Sequence, residues 1–280
     1  MDPLSDWEQP IPESELEAIE AAFDSASSLF KRRKTTNTPL TDDGPPTPYF
    51  LRPHRVSVNT TMKYPTYKFG GRIVYCRTYS EVEKATVELM EHIQDKQKNV
   101  DRFMIGFDIE WKPTFKRGAV PRKGAVMQIC GDMSRCYVFH IIHSGIPINL
   151  QSFLEDPKYV KVGVWIGGDA DKIYNDYNIR IQSIEELSCL ANKKLDGFHR
   201  RWSLAALTET LTSKELEKPN KIRLGNWEVE VLSRDQLLYA ATDAFASWQL
   251  YEILKTFPDL SEKQNEQEVN GLQSKRQLNE

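Results

Sequence analysis

The sequence predicts an α/β fold, one domain built on a mixed sheet with helices packed against it, and three observations carry that expectation. Phe103–Trp111 reads FMIGFDIEW, a nearly continuous apolar run of the kind that forms a strand covered on both faces. Two more apolar runs, Ala125–Cys130 and Cys136–Ile142, follow with short connections, which favours antiparallel neighbours. Helical periodicities precede this group and dominate after it.

A length of 280 residues suits one substantial domain with flanking segments. Apolar residues make up 40% and charged residues 28%, ordinary for a globular chain. No apolar run approaches the roughly 20 residues needed to cross a bilayer, and the acidic first thirty residues have no signal-peptide core. Neither a membrane protein nor a secreted one is expected. Cys76, Cys130, Cys136 and Cys189 form no C-x-x-C pair and are expected to be reduced thiols, although Cys130 and Cys136 could face each other across a hairpin. The five histidines show no zinc spacing, and His140 and His143 are read as structural.

Taken in order, residues 1–57 form an acidic tail. Ser14 and Glu17 fit a capping box, and Leu16, Ile19, Phe23, Ala26 and Phe30 mark one helical face, which could dock on a partner or exist only transiently. The basic run Lys31–Lys34 is open to reading as a nuclear import signal or as a solvated helix end, and the Thr- and Pro-rich stretch after it is a linker. Residues 58–257 are the folded domain. Ile73–Cys76 reads as a strand, and Ser80 with Glu83 marks a helix that buries Val82, Ala85, Leu89 and Ile93. The strand 103–111 ends at Pro113, and a basic loop leads to the next two strands. Val160–Ile166 is a fourth strand, with Asp169 after it in the position of a helix N-cap. Helices are expected at Ile184–Leu195, Ser203–Leu211 and Arg234–Leu254, the last opened by a Ser233/Gln236 capping box. Residues 258–280 are polar and expected to be disordered. Residues 58–257 carry a net charge of +3, against −3 for the whole chain, which permits a polyanionic partner without demanding one.

Chemistry concentrates at three places. Asp108 and Glu110 sit two apart on the apolar strand, so both project from one pleat, and like charges that close need a proton or a cation. Hard divalent ions such as Mg2+ or Mn2+ prefer such oxygen ligands, while a strand end whose acids reach solvent is the plainer alternative. On the last helix, Tyr239 and Asp243 stack at i and i+4 inside LLYAATDAFASWQLY, either for a tertiary demand or as a packing hydrogen bond. Asp169 is the third, with Asp171 and Asp176 as competitors. Lys112, Lys116, Arg117, Arg122 and Lys123 line the loop leaving the apolar strand, either as positive charge for a polyanion or as a solvated loop. Lys193, Lys194, Arg200 and Arg201, interleaved with Phe198 and Trp202, could touch nucleic acid or form core.

FDIEW, GxxxxGD after a buried strand, and YAATDA on a late helix together resemble the three motifs of the DEDD superfamily of exonucleases, in the tyrosine subgroup. FGGRI, HSGIP, LANKKL and IRLGNW extend the likeness to Werner syndrome-like exonucleases, above all the stand-alone plant type, over roughly residues 60–257. The resemblance implies a ribonuclease H-like mixed five-stranded sheet flanked by helices. It implies a 3'-to-5' exonuclease that releases nucleoside monophosphates by a two-metal-ion mechanism with Mg2+ or Mn2+. Asp108, Glu110, Asp169 and Asp243 would hold the metals, and Tyr239 would orient the attacking water. DNA 3' ends are the expected substrate, with RNA 3' ends or a catalytically silent nucleic-acid-binding module as alternatives. No G-x-x-x-x-G-K occurs, so a helicase or repair partner would be a separate chain. The expected location is the nucleus, with the cytoplasm also open. Trp165 departs from the glycine more common in relatives, and would pack on the helix bearing Asp169 or narrow the cleft.

Overall fold

The computed structural model describes residues 64–96, 100–114, 118–195 and 198–260. The expected N-terminal helix, basic run, linker and C-terminal tail lie outside the described residues, as do Lys116 and Arg117. Six strands form one mixed sheet among the described residues: β1 (Arg72–Cys76), β2 (Phe103–Glu110), β3 (Val126–Cys130), β4 (Arg135–Phe139), β5 (Tyr159–Gly163) and β6 (Ile184–Glu186). Their spatial order is β1-β4-β3-β2-β5-β6. As the short connections predict, β2, β3 and β4 run antiparallel in succession, while β1, β5 and β6 pair in parallel with their neighbours. The sixth strand corrects the expectation of five. Ile184–Glu186 was read as the start of a helix, but it pairs with Lys161–Gly163, and the helix begins only at Leu187. Three residues are too few to show a period of two.

Alternation along β2 sorts its residues between two cores. Phe103, Ile105, Phe107 and Ile109 join one cluster with α1 (Tyr79–Lys96) and α3 (Ile148–Glu155), whereas Met104 belongs with the cluster around α8 (Arg234–Leu254). Between them come α2 (Ile141–Ser144), α4 (Ile166–Tyr177), α5 (Leu187–Lys194), α6 (Leu204–Thr212) and the short α7 (Asn220–Arg223). Helix α1 buries Val82, Ala85, Leu89 and Ile93 as its spacing predicts. Its cap differs: Thr78 Oγ1 accepts from the Glu81 amide and the Glu81 carboxylate accepts from the Arg77 and Thr78 amides. Glu83 instead accepts from the Asn149 amide.

The Ser233/Gln236 capping box of α8 forms as read. Its alanines Ala240, Ala241, Ala244 and Ala246 are fully buried, and the helix lies flat on the sheet at Gly106 of β2. A Cβ there would stand 1.9 Å from the Ala244 carbonyl oxygen and 2.7 Å from the Trp248 amide. Only hydrogen at that position permits the approach.

The segment before α8 is tied across the sheet by His140, which is fully buried. The Leu232 amide donates to the Tyr75 hydroxyl at 3.1 Å, that hydroxyl donates to His140 Nδ1 at 2.8 Å, and Nε2–H donates to the Trp227 carbonyl at 2.9 Å. One neutral tautomer satisfies all three. Burial pushes the His140 pKa down to about 4, so the ring stays neutral at physiological pH. His143 Nε2 reaches the Val229 carbonyl at 2.8 Å. Both histidines are structural, as the missing zinc spacing suggests. All four cysteines are free thiols, three buried and Cys189 exposed.

Gly106→Ala is expected to destabilise the protein by more than about 3 kcal/mol, beyond ordinary overpacking, because backbone meets the new methyl. Thermal melting of the soluble fraction checks this, and Gly70→Ala, with open space around its Cβ and no left-handed backbone, serves as the comparison.

Candidate active site

Strand β2 carries Asp108 and Glu110 at its C-terminal end, and the close approach at Gly106 lays α8 against the same face. Ligand atoms from Asp108, Glu110 and Asp243 thereby come within 4.8 Å of one another. Glu110 and Asp243 are buried and Asp108 is half-buried, so the cluster opens to solvent on the Asp108 side. Asp169 does not belong to that tight trio, but it is buried beside it and its pKa is raised by burial and by Asp108. It is not an N-cap. Trp165 caps α4, and Asp169 sits inside the first turn. Of its competitors, Asp171 is exposed, and Asp176 accepts from the Gly124 amide at 2.7 Å and pairs with Lys172 at 3.0 Å.

Tyr239 lies one turn before Asp243 on α8 and its hydroxyl favours the ionised aspartate. Two residues that the sequence reading passed over complete the set. Gln128, opposite Asp108 in the β2–β3 register, donates to Asp108 Oδ2 at 3.0 Å. Its signal was a lone amide inside the apolar VMQIC. Lys218 reaches Asp243 Oδ2 at 3.2 Å, and nothing in its surrounding loop sequence distinguishes it from a surface lysine.

The electrostatics follow from burial. Desolvation first, then Asp243, pushes the Asp108 pKa up to about 7. Desolvation, Asp108 and Glu186 push Asp169 up to about 9, and Glu110 is raised for like reasons, chiefly burial and Asp108. Lys218 is one cation facing Asp243, Asp108 and Glu110. Asp243 Oδ1 and Gln128 Oε1 are buried with no hydrogen-bond partner among the described residues. A crowded set of oxygen donors with an orphaned carboxylate oxygen fits a hard divalent cation.

The basic loop is less uniform than its sequence suggests. Lys112 is half-buried, Arg122 pairs with Glu228 at 3.6 Å, and Lys123 lies 5.5 Å from the Tyr177 ring centroid. In the second basic stretch Lys194 is held by Asp259 at 3.1 Å, Arg200 stacks 3.4 Å over Trp202, and Phe198 is almost wholly exposed. Beyond Tyr239 and Asp243 a cleft of about 200 Å³ continues along Tyr67, Lys68, Glu217 and Ile222.

Trp165 is left-handed at φ 65°, ψ 26°, a conformation that costs a residue with a Cβ roughly 1 kcal/mol. Its ring packs over Gly168, where an added Cβ would meet ring carbons at 2.9–3.2 Å. It therefore does pack on the helix bearing Asp169, and it does so while 72% exposed.

A mixed six-stranded sheet with buried carboxylates gathered at the end of a central strand has a ribonuclease H-like arrangement. Comparison with known proteins narrows this. The family described as 3'-5' exonuclease matches residues 79–257, and the chain belongs to that family. A 3'-5' exonuclease of Arabidopsis thaliana is 51% identical over 196 residues, 70% of this chain and 68% of that protein. The bifunctional 3'-5' exonuclease/ATP-dependent helicase WRN of Mus musculus is 36% identical over 219 residues, 77% of this chain but 15% of that protein. Among solved structures, the Aedes aegypti Nibbler EXO domain superposes with a TM-score of 0.55 at 18% identity, covering 68% of this chain and 92% of that one. At that identity the likeness is one of fold.

Asp108 and Asp169 titrate higher folded than unfolded, so without metal they add stability below about pH 4 and lose it as pH rises through about 7 and about 9. Metal binds the ionised forms. The rise in melting temperature on adding Mg2+ or Mn2+ is expected to be larger at pH 8.5 than at pH 6, and to shrink in Asp108→Ala. Differential scanning fluorimetry with and without EDTA reads both effects. Lys218→Met is expected to lower the melting temperature in EDTA and to widen the metal-induced rise, because the resident cation is gone.

Proposed function

We propose that this chain removes nucleoside monophosphates stepwise from the 3' end of a nucleic acid strand, DNA in the first place. The observation that carries the reading is the cluster of buried carboxylates facing one lysine, with Tyr239 beside it. In this reading Asp108, Glu110, Asp169 and Asp243 hold two divalent ions, Mg2+ or Mn2+. Such ions, when bound, neutralise charge developing on the phosphodiester oxygens and ease deprotonation of water.

The remaining work belongs to the chain. Tyr239 holds its proton at any ordinary pH, because burial and the neighbouring carboxylates raise its pKa, so it acts as a hydrogen-bond donor that orients the attacking water. Gln128 fixes one oxygen of Asp108. The strand enters over Asp108, the open side of the cluster, with Lys112, Lys116, Arg117, Arg122 and Lys123 drawing the phosphate backbone toward it. The preference for DNA extends the resemblance to Werner syndrome-like exonucleases, with the mouse exonuclease/helicase 36% identical to this chain. A nuclear role alongside a separate helicase or repair protein belongs to the same proposal.

Asp108→Ala and Asp243→Ala are expected to remove Mg2+- or Mn2+-dependent trimming of a labelled 3' end while circular dichroism stays unchanged. Tyr239→Phe is expected to lower kcat about 100-fold, the effect of a misplaced nucleophile. Undiminished trimming in the aspartate variants would overturn the assignment of this site, and a wild-type protein that binds nucleic acid without trimming it would be a binding module without catalysis. Parallel assays on a recessed DNA 3' end and on single-stranded RNA decide the substrate: faster trimming of the RNA would overturn the DNA assignment.

A further inference from the structure

We propose that Trp165 is a stacking platform for a nucleobase of the strand being trimmed, and that it sets how tightly a frayed or single-stranded 3' end is held. The inference rests on the exonuclease reading above and adds a residue outside its metal-holding and water-orienting set.

Position comes first. β5 pairs in parallel with β2, the last paired residues being Val162 and Gly106. Trp165 follows three residues later, and Asp108 lies two residues past Gly106, so the indole emerges at the level of the carboxylates. Four residues on, Asp169 turns back into the acid cluster. The ring is thus tied to the ligand-bearing turn and stands at the solvent side of the site.

Shape comes second. One face of the indole is seated on the glycine backbone at Gly168, where any Cβ would press on the ring. Among the described residues no aromatic ring or cation packs against the other face, and Trp165 is 72% exposed. A flat apolar ring fixed on one side and wet on the other is what stacking on a base requires, since every base presents a π-face. A structural role explains it poorly. A tryptophan that stays in water contributes little burial, and its left-handed backbone is unfavourable for any residue with a Cβ. Strain kept at an exposed position beside a reactive cluster is what functional sites tolerate.

The surroundings fit a nucleic acid strand. The Ile166 amide donates to one oxygen of Glu186, the Ser188 amide donates to the other, and Ser188 Oγ accepts from the Trp202 amide. Trp165 is thereby linked to the stretch in which Arg200 stacks on Trp202 and Phe198 projects into solvent. Aromatic faces with a nearby guanidinium suit a path for unpaired bases and their phosphates.

The test uses the whole 280-residue chain in Ca2+ with fluorescein-labelled oligonucleotides, read by anisotropy. The probes are a 20-nucleotide poly-dT and versions with one abasic residue at each of the three positions nearest the 3' end. Trp165→Ala and Trp165→Gly are expected to bind poly-dT roughly 5- to 20-fold more weakly, and Trp165→Phe within about 2-fold of wild type. One abasic position should weaken wild-type binding and leave the alanine variant's binding unchanged. Trp165→Gly should melt no lower than wild type, because glycine accepts the left-handed conformation. Wild-type affinity in the alanine variant, an abasic penalty that persists in it, or a fall in the melting temperature of the glycine variant would each overturn the proposal. A wild-type protein that binds but never trims would overturn the exonuclease reading alone.

Discussion

Everything about this molecule turns on how close α8 comes to β2. At Gly106 the helix backbone sits where any other side chain would be, and that contact drives Asp243 into the field of Asp108 and Glu110. Two unit charges 4.8 Å apart repel by about 3 to 4 kcal/mol at an effective dielectric of about 20. A hydrogen bond such as that from Gln128 returns about 1 kcal/mol net, more to a charge, and Lys218 supplies one positive charge against several negative ones. The residual repulsion is settled by protons or by divalent cations. A fold with stability as its sole demand would have kept apolar residues there.

The carboxylate problem was legible because its parts lie within short local patterns. Asp108 and Glu110 share a pleat by the period of two, Tyr239 and Asp243 share a helical face by i+4, and Ser233 with Gln236 announces the start of α8. The reading failed where spacing is ambiguous or partners are remote. Ser80 and Glu83 satisfy the capping-box pattern as well as Thr78 and Glu81 do, and only the turn geometry selects the latter pair. Asp169 looked like a cap because acids favour helix starts, and its burial against Asp108 depends on where β5 falls in the sheet. Lys218 could not be singled out at all, since its meaning arises from residues 25 and more positions away in sequence.

The distribution of positive charge bears on how a polyanion is met. Arg122 and Lys194 are engaged with Glu228 and Asp259, and Lys123 leans on Tyr177, so the cations near the site are partly occupied within the protein. Such pairs exchange partners at little loss, because an exposed ion pair is worth well under 1 kcal/mol in most settings. The surface thus offers a moderate electrostatic pull with screening by salt, and aromatic faces supply contacts that salt does not weaken.

The His140 tie has a different kind of consequence. Its imidazole and the Tyr75 hydroxyl fix Trp227 and Leu232, the residues that lead into α8, directly to the sheet. What lies between α6 and that tie does not set the register of the helix. Apart from Lys218, which faces Asp243 from that stretch, residues there are therefore open to change in composition while the carboxylates stay where they are. One chemistry can be inherited intact while the ends it accepts are renegotiated in each lineage.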